Sequence, residues 1–227
     1  MIKRTWAKLA PRHESAARVR ARIPGRPRRR AAEKLREICL EAALSEFVEH
    51  GFKGASIEGA ARRAKASRST VYRMFTNKET LFRAIHRWVL ESRQSDLRVL
   101  LASGLAPQAM LAAVIQKIYL DSVRPRDLAL TRLFVAEAHR FPELTDVLFE
   151  HSLFEPLIDY LKGLAERGVA EIDDPVEAAW DLSALAGGGL KMLLKEPVAD
   201  PAALRSRTAR LTRLLSHGWL RQPHVTK

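Results

Sequence analysis

One cysteine, Cys39, is all that the chain contains. That excludes an internal disulfide and any cysteine-based metal site, and it makes a buried position on a helix the expected place for the thiol. Without a disulfide framework, a reducing, cytoplasmic setting is the expectation. No apolar run approaches the ~20 residues that a membrane-spanning helix needs. The basic start lacks the apolar stretch of a secretory signal, so no membrane partner is expected. There is no HExxH, no Cys/His cluster and no apparent pairing of a nucleophile with a base. Gly187-Gly188-Gly189 is rich in glycine but has no strand before it and no lysine in phosphate-loop context. These gaps disfavour an enzyme and leave no cofactor, metal or catalytic residue to expect. Strand-like alternation is missing too, and the fold class expected is all-α.

Positive charge is plentiful, and its placement carries the information. The formal net charge is +13. Residues 1–30 hold eleven Lys and Arg against one acid, residues 31–100 hold thirteen against nine, and residues 101–227 hold fifteen against sixteen. A basic front joined to a near-neutral remainder is the pattern of a nucleic-acid-binding head on a different kind of body. Residues 1–30 have few apolar anchors and read as a disordered or weakly helical arm. Its end, Gly25–Arg30 (GRPRRR), is the kind of short extended segment that can lie in a minor groove.

From Ala31 the pattern is helical. Leu35, Ile38, Cys39, Ala42, Ala43 and Phe47 form an apolar face, and His50-Gly51 closes the helix. The stretch Ser56–Phe75, SIEGAARRAKASRSTVYRMF, then reads as two short helices with a tight turn between them. Ile57, Ala60, Ala61 and Ala64 fall at i, i+3, i+4 and i+7, with Ser56 as N-cap. In the second piece Ser67 caps, Val71, Met74 and Phe75 point inward, and Arg68, Ser69, Tyr72 and Arg73 point outward. The size and spacing are those of a helix-turn-helix, whose second helix enters the major groove of DNA. Asn77 caps a longer helix running to about Leu101, with Leu81, Ile85, Trp88 and Val89 on one face. The expected shared core is Ile38, Phe47, Phe52, Ile57, Val71, Phe75 and Leu81.

By chemistry, Arg68 and Arg73 can each bond guanine O6 and N7 bidentately or hold a phosphate. The hydroxyls of Thr70 and Tyr72 suit phosphate oxygens, which set register rather than sequence choice. Ser56, Arg63, Lys65, Ser67, Ser69 and Lys78 complete the candidate DNA-binding edge.

Ile38 with Ala42-Ala43, then Phe47, Gly51-Phe52, Ser56-Ile57, Ala61, Ala64, Ser67, Thr70, Val71-Tyr72, Phe75 and Lys78-Glu79-x-Leu81 closely resemble the N-terminal domain of TetR/AcrR-family transcriptional regulators. The resemblance covers residues 31–91 and implies a three-helix DNA-binding head with Tyr72 and Lys78 on the phosphate backbone. The family usually has glycine where this chain has Lys65 and Ser69. A left-handed Lys65 costs on the order of 1 kcal/mol. Further on, the run from Leu133 to Leu144 resembles the EAxRFPEL signature of the C-terminal domain in the AefR-like branch.

Pro107, Pro125, Pro142, Pro175 and Pro201 each stand near a helix start. Helices are expected at about 107–123, 125–140, 142–167, 175–195 and 200–219, with Pro156 breaking or kinking the third. The domains expected are a basic arm, 1–30, a DNA-binding head, 31–91, and a helical body, 92–220, for ligand binding and dimerisation. For a homodimer surface, Ala184, Gly187 and Gly188 leave little side-chain bulk, beside an apolar stripe of Leu204, Leu211, Leu215 and Trp219. The resemblance implies a small-molecule effector, for which Trp88, Phe134, His139, Phe149, Phe154 and Trp180 are the candidate lining; each is also an ordinary core or surface position. The reading is a dimeric regulator of a double-stranded, palindromic DNA operator, a repressor released by an effector. An activator, or an architectural DNA binder using the basic arm, stays open.

Overall fold

The computed structural model describes residues 26–144, 153–189, 193–194 and 200–220. The chain divides into two units, residues 1–35 and 36–227. Of the first, only the opening turns of a helix are described. Arg26–Arg30, expected as the extended end of the arm, already belong to that helix, α1 (Arg26–Gly54). Pro27 stands in its first turn, where a missing N–H costs nothing.

Gly51 leaves helical geometry at φ 65, ψ 175, so the first part of α1 ends at His50 and the chain then turns once more. Two short helices follow, α2 (Ile57–Arg63) and α3 (Arg68–Met74), and then the long α4 (Lys78–Leu101). Asn77 Oδ1 accepts from Thr80 N at 2.7 Å, fixing where α4 begins. Cys39, Ala43, Phe47, Phe52, Ile57, Ala60, Ala61, Val71, Phe75, Leu81, Phe82 and Ile85 are buried and make one core. Burial also pushes the Cys39 thiol above its ordinary range. Ile38 was expected in that core and is 44% exposed. The buried stripe of α1 is centred on Cys39, Ala43 and Phe47, and Ile38 lies one residue round the helix from it.

The remaining helices are α5 (Pro107–Val123), α6 (Pro125–Glu137), α7 (Glu155–Glu166), α8 (Pro175–Gly187) and α9 (Pro201–Trp219). Four of the five have proline at the first helical position, where its fixed φ suits a helix start. Two helices are shorter than expected. Pro156 breaks the expected 142–167 helix rather than kinking it: residues 153–154 form a turn and Pro156 stands in the first turn of α7. And α8 ends at Gly187, since Gly188 takes a left-handed φ of 85. A second core, from Leu97, Met110, Val114, Ile115, Leu157, Leu161, Ala179, Leu182, Leu211 and Leu215, joins α4, α5, α7, α8 and α9. Among the described residues there is no strand beyond an isolated bridge of Ala170 with Leu220. No helix among them is long and apolar enough to cross a membrane.

Candidate nucleic-acid interface and body cavity

The two short helices are built alike at their starts. Ser56 Oγ accepts from Gly59 N at 3.0 Å, and Ser67 Oγ accepts from Thr70 N at 3.1 Å. Each bond satisfies one backbone donor that the first turn leaves unpaired. Between them the chain turns through Lys65, whose φ of 51 is left-handed, as the position requires. The amide of Ala66 reaches back to Ala61 O at 3.0 Å and closes the turn. Val71 and Phe75 are fully buried and seat α3, which packs against α2. That seating leaves Arg68, Ser69, Tyr72 and Arg73 exposed on the other side, as their spacing predicts.

Several candidates on this edge are tied to the protein itself. Ser67 Oγ lies 2.7 Å from Thr70 Oγ1 and 3.0 Å from Ser69 Oγ, so three hydroxyls form one network at the helix start. Tyr72 is 44% exposed, which removes it from the core. Its hydroxyl donates to Glu58 Oε1 at 2.7 Å, and that bond holds the Glu58 carboxyl below its usual range, with Arg68 and Arg62 adding to the effect. Lys78 Nζ donates to Lys53 O at 3.1 Å and stands 4.8 Å over the ring of Phe52. Arg63 donates Nε to the buried Glu46 at 2.8 Å and a second N–H to Glu49 at 2.6 Å. Both carboxylates raise its pKa, and the arrangement makes Arg63 a brace between α1 and α2 rather than a free cation. Ser56 is likewise a half-buried cap. Arg68 and Arg73 form no ion pair among the described residues, and they are the two cations of α3 left to meet an anion.

Glu46 and Glu58 are the functional neighbours that sequence spacing misses. Gly59 shows why the first is fixed. A methyl group on it would stand 1.9 Å from Glu46 Oε1, so glycine is what lets that carboxylate lie against α2.

The segment after α6 reaches the same core. Phe141 is buried, with its ring 5.1 Å from Phe52 and 5.2 Å from Phe82. Arg140 lies 4.5 Å over Phe52 and pairs with Glu79 at 3.2 Å, while Arg83 pairs with Glu143 at 2.6 Å. The RFPE motif is thus a clasp between the end of α6 and the start of α4.

A cavity of about 340 Å³ lies behind it, walled by α4, α6 and α8. Of the candidate effector-lining residues, Phe134, Phe154 and Trp180 line it. Trp88 does not; it faces an open groove with Ile38, Ala42 and Arg63. His139 is exposed. Phe149 lies outside the described residues. His86, Arg93 and Thr131 are lining residues not anticipated. Burial, with help from the nearby Arg93 charge, pushes the His86 imidazole from its ordinary 6.5 to about 4, so it is neutral at pH 7. Among the described residues no group of three or more His, Cys, Asp or Glu is placed to hold a metal ion.

Of the candidate dimer residues, Leu211 and Leu215 are buried in the subunit's own core, because α9 packs along α5 and α8. Leu204 and Trp219 are half-buried, and Gly187 packs against Ser122 and Ile118 of α5. The apolar groups that α8 and α9 expose include Ala184, Leu185, Ala209 and Leu214.

Two sequence-family models match this chain. The model of bacterial regulatory proteins of the tetR family covers residues 40–85, and that of the AefR-like transcriptional repressor C-terminal domain covers residues 109–223. Among solved structures, a TetR-family transcriptional regulator of Mesorhizobium loti aligns with a TM-score of 0.75 over 84% of this chain and 98% of its own, at 23% identity, a likeness of fold. The flavonoid-responsive regulator FrrA aligns with a TM-score of 0.65 over 84% of this chain and 100% of its own, at 26% identity. The HTH-type transcriptional regulator YvkB of Bacillus subtilis is 25% identical over 148 residues, which is 62% of this chain and 72% of that protein.

Proposed function

This chain belongs to the TetR family of bacterial regulatory proteins and is a DNA-binding transcriptional regulator rather than an enzyme; from that premise we propose that it is a dimeric repressor released from its operator by a small molecule. The observation that carries the reading is the outer face of α3, where Arg68, Ser69 and Arg73 project from a helix seated and capped by everything around it. Residues 31–91 are assigned to reading DNA and residues 92–220 to effector binding and dimerisation. A DNA target places the protein in the cytoplasm.

A single reading head covers one half-site, and two heads need a two-fold partner about one DNA turn apart. The exposed Ala184, Leu185 and Leu214 support a pairing face on the outer sides of α8 and α9. Arg207 fixes the end of that face by donating to the carbonyls of Leu185 and Ala186.

The route from effector to DNA is supported by ring contacts. Phe134 lines the cavity and lies 5.3 Å from Phe82, which in turn touches Phe47, Phe52 and Phe141. Phe52 carries Lys78 on its face. An occupant that displaces Phe134 therefore presses on the core that seats α1 and α4. Its effect on DNA affinity equals its preference for one arrangement of that core over the other.

Selection of binding sites from random double-stranded DNA with the purified chain tests the reading. Palindromic sites with half-sites one helical turn apart are the expected result. Unrelated sequences bound equally well would favour the architectural role and overturn the repressor.

A further inference from the structure

The polar residues of the body cavity are few, His86 and Arg93 on α4 and Thr131 on α6. His86, Val89, Leu90 and Arg93 fall at i, i+3, i+4 and i+7 on α4 and all face the cavity. Seven residues at 1.5 Å rise separate His86 from Arg93 by about 10 Å along the helix. Between these ends the walls are mostly apolar, with three rings among them, and Phe154 and Trp180 pack edge to face at 5.0 Å.

The hydrogen-bonding capacity of each polar residue narrows the occupant. The Thr131 hydroxyl already donates to Asp127 O at 2.9 Å. Arg93 makes a single 3.5 Å contact with Asp127, which leaves most of its N–H donors free to take a better partner. His86 touches Phe134 edge-on at 4.7 Å and has no hydrogen bond among the described residues. As a neutral imidazole it offers one donor and one acceptor. A smaller chamber of about 140 Å³ shares Arg93, Thr131, Leu153 and Phe154 with the cavity and adds Lys117 together with Asp121, which pair with each other at 2.8 Å. Lys117 is thus matched by its own carboxylate, and Arg93, with only the long contact to Asp127, is the cation at this end open to a guest. A purely apolar guest would strip water from Arg93 and His86 without replacing its hydrogen bonds, and a cationic guest would meet Arg93.

Resting on the effector reading above, we propose that this cavity takes a flat aromatic carboxylic acid with a second oxygen, hydroxyl or carbonyl, about 10 Å from the carboxylate. The acid pairs bidentately with Arg93, as guanidinium geometry favours. The far oxygen meets His86. The rings of Phe134, Phe154 and Trp180 enclose the middle.

Titration calorimetry of the full chain, free of DNA, tests this with trans-para-hydroxycinnamate and a hydroxybiphenyl carboxylate as probes. Comparison ligands are the matching carboxamide and unsubstituted cinnamate. The expected result is that an acid binds at least about tenfold tighter than its amide, since an ionised partner strengthens the hydrogen bond. R93Q erases that preference. D127N breaks the same ion pair but keeps the cation, so it retains or increases the preference, which separates ligand recognition from loosening of the fold. H86F loses the advantage of the hydroxylated acid over cinnamate while still preferring acid to amide. Equal binding of acid and amide by the unaltered chain, an acid preference that survives R93Q, or no binding of either acid at millimolar concentration overturns the assignment. Binding that fails to release selected operator DNA would leave the ligand class standing and sink the release mechanism instead.

Discussion

Two helices in this molecule, α2 and α3, have seven residues each and a serine cap each, and they are held in different ways. In α2, Ile57, Gly59, Ala60 and Ala61 are buried, and its last residue, Arg63, is spent on Glu46 and Glu49. In α3 only Val71 is buried. Its position comes from its ends, Ser67 before it and Phe75 after it, and from the Tyr72–Glu58 bond. One helix is therefore a structural wedge and the other a mount. A mount with a single inward side chain leaves its outward residues free to be set by what they touch on DNA.

The largest effect that would sharpen this contrast is on DNA. Arg68→Ala with Arg73→Ala should lower operator affinity by about a hundredfold or more, each good base contact carrying roughly tenfold or greater discrimination. The melting temperature should stay the same, and binding to random DNA should fall far less. Fluorescence anisotropy on both DNAs reads this out, and equal losses would mean that the two arginines hold only phosphates. Next comes the wedge. Gly59→Ala drives a methyl group into Glu46 and should cost about 2 kcal/mol in denaturant unfolding, within the ordinary span of a destabilising single substitution. A fully stable variant would show that α2 is no more embedded than α3.

Ser67→Ala should cost about 1 kcal/mol, the ordinary value of an N-cap, and also weaken operator binding because α3 loses its mount. If stability falls while DNA affinity holds, α3 is positioned by Val71 alone. The smallest expected change is Tyr72→Phe, which removes a hydroxyl from an exposed pair with Glu58. Thermal unfolding should scarcely move. Operator affinity should drop severalfold if that hydroxyl changes partner from Glu58 to phosphate, and an unchanged affinity removes Tyr72 from the interface.

Much of this contrast was legible in the chain. Helical spacing located both short helices, the caps Ser56, Ser67 and Asn77 stand where they were read, and four prolines start the helices they announce. What spacing does not encode is the partner across the fold. Arg63 reads as one more cation in a basic run until Glu46, seventeen residues earlier, is found beneath it. The stripe of Leu211 and Leu215 has the same pattern whether it faces a second copy or α5 of its own subunit. Trp88 and Val89 are neighbours in sequence, yet a rotation of about 100° on the helix puts one in an open groove and the other in the cavity. The RFPE motif was recognisable as a signature, while its work, clasping Phe52 and Phe82, depends on helices far apart in sequence.

Lys65 holds a backbone shape that any mutation to glycine would ease. A population of variants sorted only for heat resistance would drift toward Lys65→Gly, and one sorted for gene control would resist that drift wherever the charge counts. The two kinds of sorting, run side by side, would report what this turn is kept for.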